Sequence, residues 1–185
     1  MSQYQIGVVI GSLRRGSFNR QLAHAVTQLA PPEFSFQDLR IDDLPLYNQD
    51  DDASPAESAQ RLKREISASH GILFVTPEYN RSVPGVLKNA IDHASRPYGQ
   101  SAWAGKPAGI LGASIGTTGT SMAQQHLRNI LSYLDMPALG QPEVFLHVSD
   151  ELFGPDGGIT NARTKAFLQR WMDRYVAWIQ KFAHH

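Results

Sequence analysis

Three polar stretches hold the residue types that could do chemistry. The first is Gly11-Ser12-Leu13-Arg14-Arg15-Gly16-Ser17-Phe18-Asn19. It combines serine hydroxyls, a carboxamide and two guanidiniums just ahead of a segment with helical periodicity, where free N–H groups and the helix dipole favour an anion. A plain helix cap would need Ser17 and Gly11 but neither Arg14 nor Asn19. The stretch lacks the Gly-Lys-Ser/Thr ending of a triphosphate loop and the G-x-G-x-x-G spacing of a pyrophosphate loop, so one terminal phosphate fits it best. The second stretch, Thr76-Pro77-Glu78-Tyr79-Asn80-Arg81-Ser82, follows an apolar run. Its N–H groups, with Tyr79 and Asn80, suit the edge of a flat heteroaromatic ring; the alternative is an ordinary turn. The third, from Gly112 through Ser114, Ile115, Gly116 and Thr117 to Thr120, has three glycines. They permit close approach of backbone to a ring face and leave room for a second substrate; the alternative is a flexible helix entry.

Other chemistries are thinly represented. The chain has no cysteine, which excludes disulfides, thiolate nucleophiles and zinc-thiolate sites. Redox chemistry would therefore rest on a bound cofactor. None of the seven histidines falls within the three stretches or shows internal metal-ligand spacing, so they read as surface or core residues. Asp50-Asp51-Asp52 reads as a solvated charge run, and no metal is expected. No Ser-His-Asp arrangement is readable that would support a hydrolase.

The elements that must position these stretches alternate in type. Strands are expected at 4–10, 34–39, 72–75, 107–113 and 143–148, several as continuous apolar runs of the kind found in parallel sheets covered on both faces. Helices are expected between them. One is predicted to start at Ser54, with Pro55 at its first position and Glu57 completing a capping box, and to stop at Gly71. Another opens near Pro84, another after Thr120, and the last behind Thr160 as N-cap. The aromatic stripe Phe167, Trp171, Tyr175, Trp178 and Phe182 reads as core packing. The connection 96–106, with Arg96, Tyr98 and Trp103, reads as a loop. His184-His185 receives no role.

Alternating strands and helices imply an α/β fold: a doubly wound five-stranded parallel sheet of flavodoxin-like order 2-1-3-4-5, helices on both faces, in a single domain over residues 1–185. Ligands of such sheets bind beyond the carboxyl ends of the strands at the switch point. The three polar stretches follow strands one, three and four, so they converge there.

The whole chain sets mild bounds. Its 185 residues suffice for one sizeable core, and 17 basic against 17 acidic residues leave no bulk charge for nucleic acid or an acidic membrane. No apolar run approaches the roughly 18 residues of a membrane-spanning helix. No signal-peptide pattern is visible, and a cytoplasmic protein is expected.

With these residues in hand, the chain resembles the NAD(P)H-dependent FMN reductase family, and most closely its bacterial quinone and chromate reductase branch. The resemblance rests on Gly11, Ser12, Arg14, Ser17 and Asn19, and on Pro77-Glu78-Tyr79-Asn80 followed by Ser82, Pro84, Gly85, Leu87, Lys88, Asn89, Ala90, Ile91 and Asp92. It implies that the first loop, Phe18 included, holds the FMN phosphate. Pro77 to Asn80 would contact the isoalloxazine, and Ser114, Ile115 and Gly116 would lie beside it. It also implies a ping-pong reaction. NADPH or NADH passes hydride to the flavin, which passes it to a small-molecule acceptor: a quinone, free flavin, azo compound or chromate. No obligatory catalytic side chain is nominated. The chain departs from the family pattern at Gly119-Thr120, where relatives often have Gly-Gly, and at Arg81, where several carry an aromatic residue. Arg81, Thr117 and Arg96 are the substrate-side candidates. The family likeness further implies a homodimer or homotetramer, in which the 96–103 loop reaches a neighbour's flavin. The competing reading is a flavodoxin-type electron carrier that never reacts with nicotinamide, although such carriers are typically strongly acidic.

Overall fold

The computed structural model describes residues 4–149 and 152–182. His184-His185 lie outside them. Five strands form one parallel sheet in the order β2-β1-β3-β4-β5: β1 Tyr4–Ile10, β2 Phe34–Asp38, β3 Gly71–Val75, β4 Ala108–Ser114 and β5 Phe145–His147. The expected order is the observed one. β3 is buried at every position and β1 and β4 nearly so, as continuous apolar runs require when both faces are covered.

Five α-helices supply the cover: α1 Phe18–Thr27, α2 Glu57–Ala68, α3 Gly85–Ala94, α4 Ser121–Tyr133 and α5 Ala162–Phe182. α1 and α5 pack on one face through Leu22, Val26, Leu168, Trp171 and Tyr175. α2, α3 and α4 pack on the other through Leu62, Ile66, Leu87, Ile91, Leu127 and Leu131. Each helix carries one apolar stripe at 3.6-residue spacing, so each can be buried on one side only. The stripe on α5 is core as expected at Trp171 and Tyr175, whose rings stack with centroids 5.2 Å apart.

Several local expectations fail for identifiable reasons. α2 starts at Glu57 behind Ala56, and the Ser54 capping box does not form. Ser54 N–H instead closes a short 3-10 turn (Gln49–Asp51) by bonding Asp51 C=O at 2.9 Å, and Glu57 pairs with Arg64 at 2.6 Å. Gly71 does not stop α2; it opens β3, where its missing Cβ makes room for Ile179 and Pro107. Asn161, not Thr160, caps α5, its Oδ1 accepting from Thr164 N at 3.0 Å. Ser114 is the last residue of β4 and not part of the following loop. Trp103 is fully buried: its indole N–H donates to Ile91 C=O at 3.0 Å, and its ring lies against Phe74. It belongs to the core and reaches no neighbour.

Candidate functional site

The connections after β1, β3 and β4 meet on the carboxyl rim of the sheet around a cleft of about 340 Å³. From the first loop it is lined by Ser12, Arg14, Ser17, Phe18 and Asn19; from the second by Pro77, Glu78 and Tyr79; from the third side by Ala113, Ser114 and Ile115. Gly11, Asn80 and Gly116, expected at the site, belong to the same loops but do not line the cleft: Gly11 is buried, and Asn80 and Gly116 are exposed.

The first loop ends as the N-terminus of α1. Ser17 is its N-cap, with Oγ accepting from Arg20 N at 3.3 Å. That leaves the hydroxyl hydrogen free to donate, so the capping role and an anion-binding role are compatible. The Arg14 guanidinium stacks over the Phe18 ring, 4.6 Å from its centroid. No carboxylate pairs with Arg14 or Arg15 among the described residues. An uncompensated, pre-oriented guanidinium beside a helix N-terminus is the arrangement a phosphate dianion satisfies.

Asn19 is employed differently from the sequence expectation of a phosphate donor. β3 ends at Val75, so Ala113 of β4 has no strand partner on that side. The Asn19 carboxamide fills the gap: Nδ2 donates to Ala113 C=O and Oδ1 accepts from Ala113 N, both at 2.9 Å. A side-chain amide thus continues the sheet for one residue and ties α1 to the floor of the cleft.

Glu78 is also occupied. α4 begins behind Thr120, which makes no side-chain cap bond. Glu78 Oε2 supplies the cap from the second loop, accepting from Met122 N at 3.0 Å and Ala123 N at 3.1 Å. The same loop folds back between Tyr79 and Ser82, whose backbones exchange two 3.1 Å hydrogen bonds. Asn80 (φ 51°) and Arg81 (φ 62°) occupy the two central positions. Two left-handed central residues define the tight hairpin turn that normally prefers Asn-Gly. Arg81 Nη1 contacts Met122 Sδ at 3.4 Å, and Ser82 Oγ pairs with His126 Nδ1 at 2.9 Å. The second loop is therefore latched to α4 at three points.

On the third side, Gly112 is required by close approach: a Cβ there would stand 2.2 Å from Thr76 C=O. Gly116 C=O accepts from Gly119 N at 3.0 Å and pairs with His147 Nδ1 at 3.2 Å. Thr117 is exposed on this loop, and Thr120 is buried with its hydroxyl accepting from Gln124 at 2.8 Å. His126 and His147, read from sequence as uninvolved, thus brace two of the three loops. Only pairing across 44 and 31 residues reveals them, and local sequence carries no such signal. Arg96 is placed elsewhere, in a separate cleft with Tyr47, Asp52, Lys63 and His93 at the far end of α3. Burial depresses the Lys63 amine there. Around the cleft where the three loops meet, Tyr79 (49% exposed) and Ile115 (72% exposed) leave apolar surface at the mouth.

Among the described residues, no group of three metal-ligating side chains gathers, and no helix is long and apolar enough to cross a membrane.

The comparisons with known proteins bear on the family and the fold. The family model described as NADPH-dependent FMN reductase matches residues 4–151. The chain is 51% identical over 176 residues to a 2-hydroxy-1,4-benzoquinone reductase of Burkholderia sp, covering 95% of this chain and 96% of that one. It is 49% identical over 182 residues to a quinone reductase of Pseudomonas putida, covering 97% of each. Among solved structures it matches FerB of Paracoccus denitrificans, a flavoenzyme NAD(P)H:(acceptor) oxidoreductase, with a TM-score of 0.93 and 43% identity over 97% of this chain and 98% of that one. A flavodoxin of Pseudomonas aeruginosa shares the fold at a TM-score of 0.58 and 18% identity.

Proposed function

Since the chain belongs to the NADPH-dependent FMN reductase family, an FMN-dependent group of NAD(P)H oxidoreductases, we propose that its rim cleft holds FMN and that its acceptor is a quinone. The observation that carries the reading is the meeting of an uncompensated Arg14, a free Ser17 hydroxyl hydrogen and the N-terminus of α1 in one cleft with the second and third loops. These donors fit a single phosphate. Ser12, buried at the base of the first loop, adds a hydroxyl. Pro77 to Asn80 and Ser114 to Gly116 would flank a flat ring. Bound FMN supplies the hydride relay between NAD(P)H and the acceptor.

The chain's own residues orient and admit. Glu78 fixes the second loop on α4, and Asn19 fixes the floor. Tyr79 and Ile115 offer apolar faces to a flat acceptor, and Arg81 and Thr117 stand exposed on the neighbouring loops. Quinone reductase activity in two relatives near 50% identity supports the acceptor class. NAD(P)H as reductant supports a cytoplasmic location. The family likeness supports one catalytic domain assembled as a homodimer or homotetramer, with Arg96 available only to a neighbouring subunit's site.

Heat release of the cofactor followed by chromatography is expected to yield FMN; FAD as the main species would overturn the reading. Anaerobic mixing of holoprotein with excess NADH or NADPH is expected to bleach the flavin directly, and added quinone to restore it. Flavin that stays oxidised with both nicotinamides, yet accepts electrons from a separate reductase, would make the chain an electron carrier.

A further inference from the structure

The cleft with the converging loops is not the largest on the rim. A second one of about 530 Å³ opens between the carboxyl ends of β1 and β2, on the other side of the first loop. Its size falls in the range of small-molecule sites. Val8, Ile10, Leu39 and Ile41 form an apolar floor, and Leu13, 51% exposed, forms a wall. Leu13 lines this cleft while the next residue, Arg14, lines the other, so the first loop is the partition between them. Asp38, the last residue of β2, stands at the rim. Its Oδ2 faces Arg20 Nη1 at 3.4 Å and His24 Nε2 at 3.8 Å, and its Oδ1 takes no hydrogen bond among the described residues. Arg40 and Asp42, paired at 2.7 Å, complete the rim.

We propose that this cleft binds the adenosine half of the pyridine dinucleotide. An apolar floor beneath a carboxylate with an open acceptor suits a purine whose ribose hydroxyls donate to Asp38. The order β2-β1-β3-β4 puts the cleft about two strand spacings, or about 10 Å, from the loops after β3 and β4. The pyrophosphate linker of a dinucleotide spans that distance. Its path crosses the partition, where the exposed Arg15 has no carboxylate partner among the described residues. Nicotinamide would then reach the ring over one cleft while adenosine is held in the other. The assignment rests on NAD(P)H being the hydride donor.

The test compares NADH with reduced nicotinamide mononucleotide, which has the same hydride donor and no adenosine. Both are mixed anaerobically with holoprotein in stopped flow. The mononucleotide is expected to bleach the flavin with a dissociation constant at least about tenfold weaker than that of NADH. Asp38→Asn is expected to weaken NADH toward the mononucleotide value, to leave the limiting rate of bleaching alone, and to leave the mononucleotide unaffected. Calorimetric titration of the holoprotein with 5′-AMP is expected to show one site that Asp38→Asn weakens. Equal affinity for the two donors, or no 5′-AMP binding at millimolar concentration, would overturn the proposal while the reductase reading stands. Failure of both donors to bleach the flavin would overturn the two together.

Discussion

In the proposed site Arg14 would carry phosphate recognition, because its guanidinium is held over Phe18 and has no carboxylate partner among the described residues. Arg14→Ala is expected to weaken FMN by about 2–3 kcal/mol, the scale of a charge-assisted hydrogen bond, or roughly 30–150-fold in dissociation constant. Titration of apoprotein with FMN, followed by flavin fluorescence, measures this; a change under threefold would remove Arg14 from the phosphate site. Asn19 acts through the backbone. Asn19→Ala strands the N–H and C=O of Ala113 in the interior and is expected to cost about 2–4 kcal/mol of stability. Asn19→Asp restores the acceptor but sets a carboxylate against Ala113 C=O, so urea unfolding should show no rescue. A fully rescued Asp variant would contradict the role assigned here.

Elements meet their neighbours through a few strained or crowded residues. The hairpin turn of the second loop puts Arg81 at φ 62°, a region that costs an L-residue about 1–2 kcal/mol. Arg81→Gly relieves that strain and loses some chain entropy, so a net gain of about 0.5–1 kcal/mol in urea unfolding is expected. A loss would mean that the contact with Met122 outweighs the strain. On α5, Tyr175 is fully buried and its hydroxyl finds no partner among the described residues. Burial pushes this phenol well above its ordinary range. A raised folded-state value means that the unfolded chain gives up the proton first. The contribution is therefore intact below about pH 10 and is lost as pH rises beyond it. Tyr175→Phe is expected to hold or raise stability at neutral pH by about 1 kcal/mol, and to lose less of it between neutral and strongly alkaline pH. Equal alkaline sensitivity in both proteins would refute this.

The molecule as a whole places its candidate cleft on one rim and leaves Leu46 (87% exposed) and Tyr98 (84% exposed) on connections flanking the Arg96 cleft. Large apolar side chains left so open fit a surface that is covered by another copy of the chain. Light scattering at micromolar concentration is expected to give a dimer or tetramer, and Leu46→Glu to shift the distribution toward smaller species. A monomer at that concentration would leave Arg96 without a site to serve.

Sequence alone determined the sheet order, the rim on which the loops meet and the character of the first loop. Each rests on short-range regularities: apolar runs that only a doubly covered parallel strand needs, crossovers with one favoured hand, and donors clustered at a helix start. The same local logic placed most of the cleft's lining, from Ser12 to Ile115. What tertiary structure decided was the partner of each polar group. Asn19 finds Ala113, Glu78 finds the N-terminus of α4, and His126 and His147 find the second and third loops, across 94, 44, 44 and 31 positions. Ser54 and Thr160 looked like caps because a cap is a local pattern, yet backbone closure nearby put the helix starts elsewhere. A side chain's chemistry is written in its own residue, but whether that chemistry is spent on the fold or left for a ligand depends on which distant groups the packed chain sets within 3 Å of it.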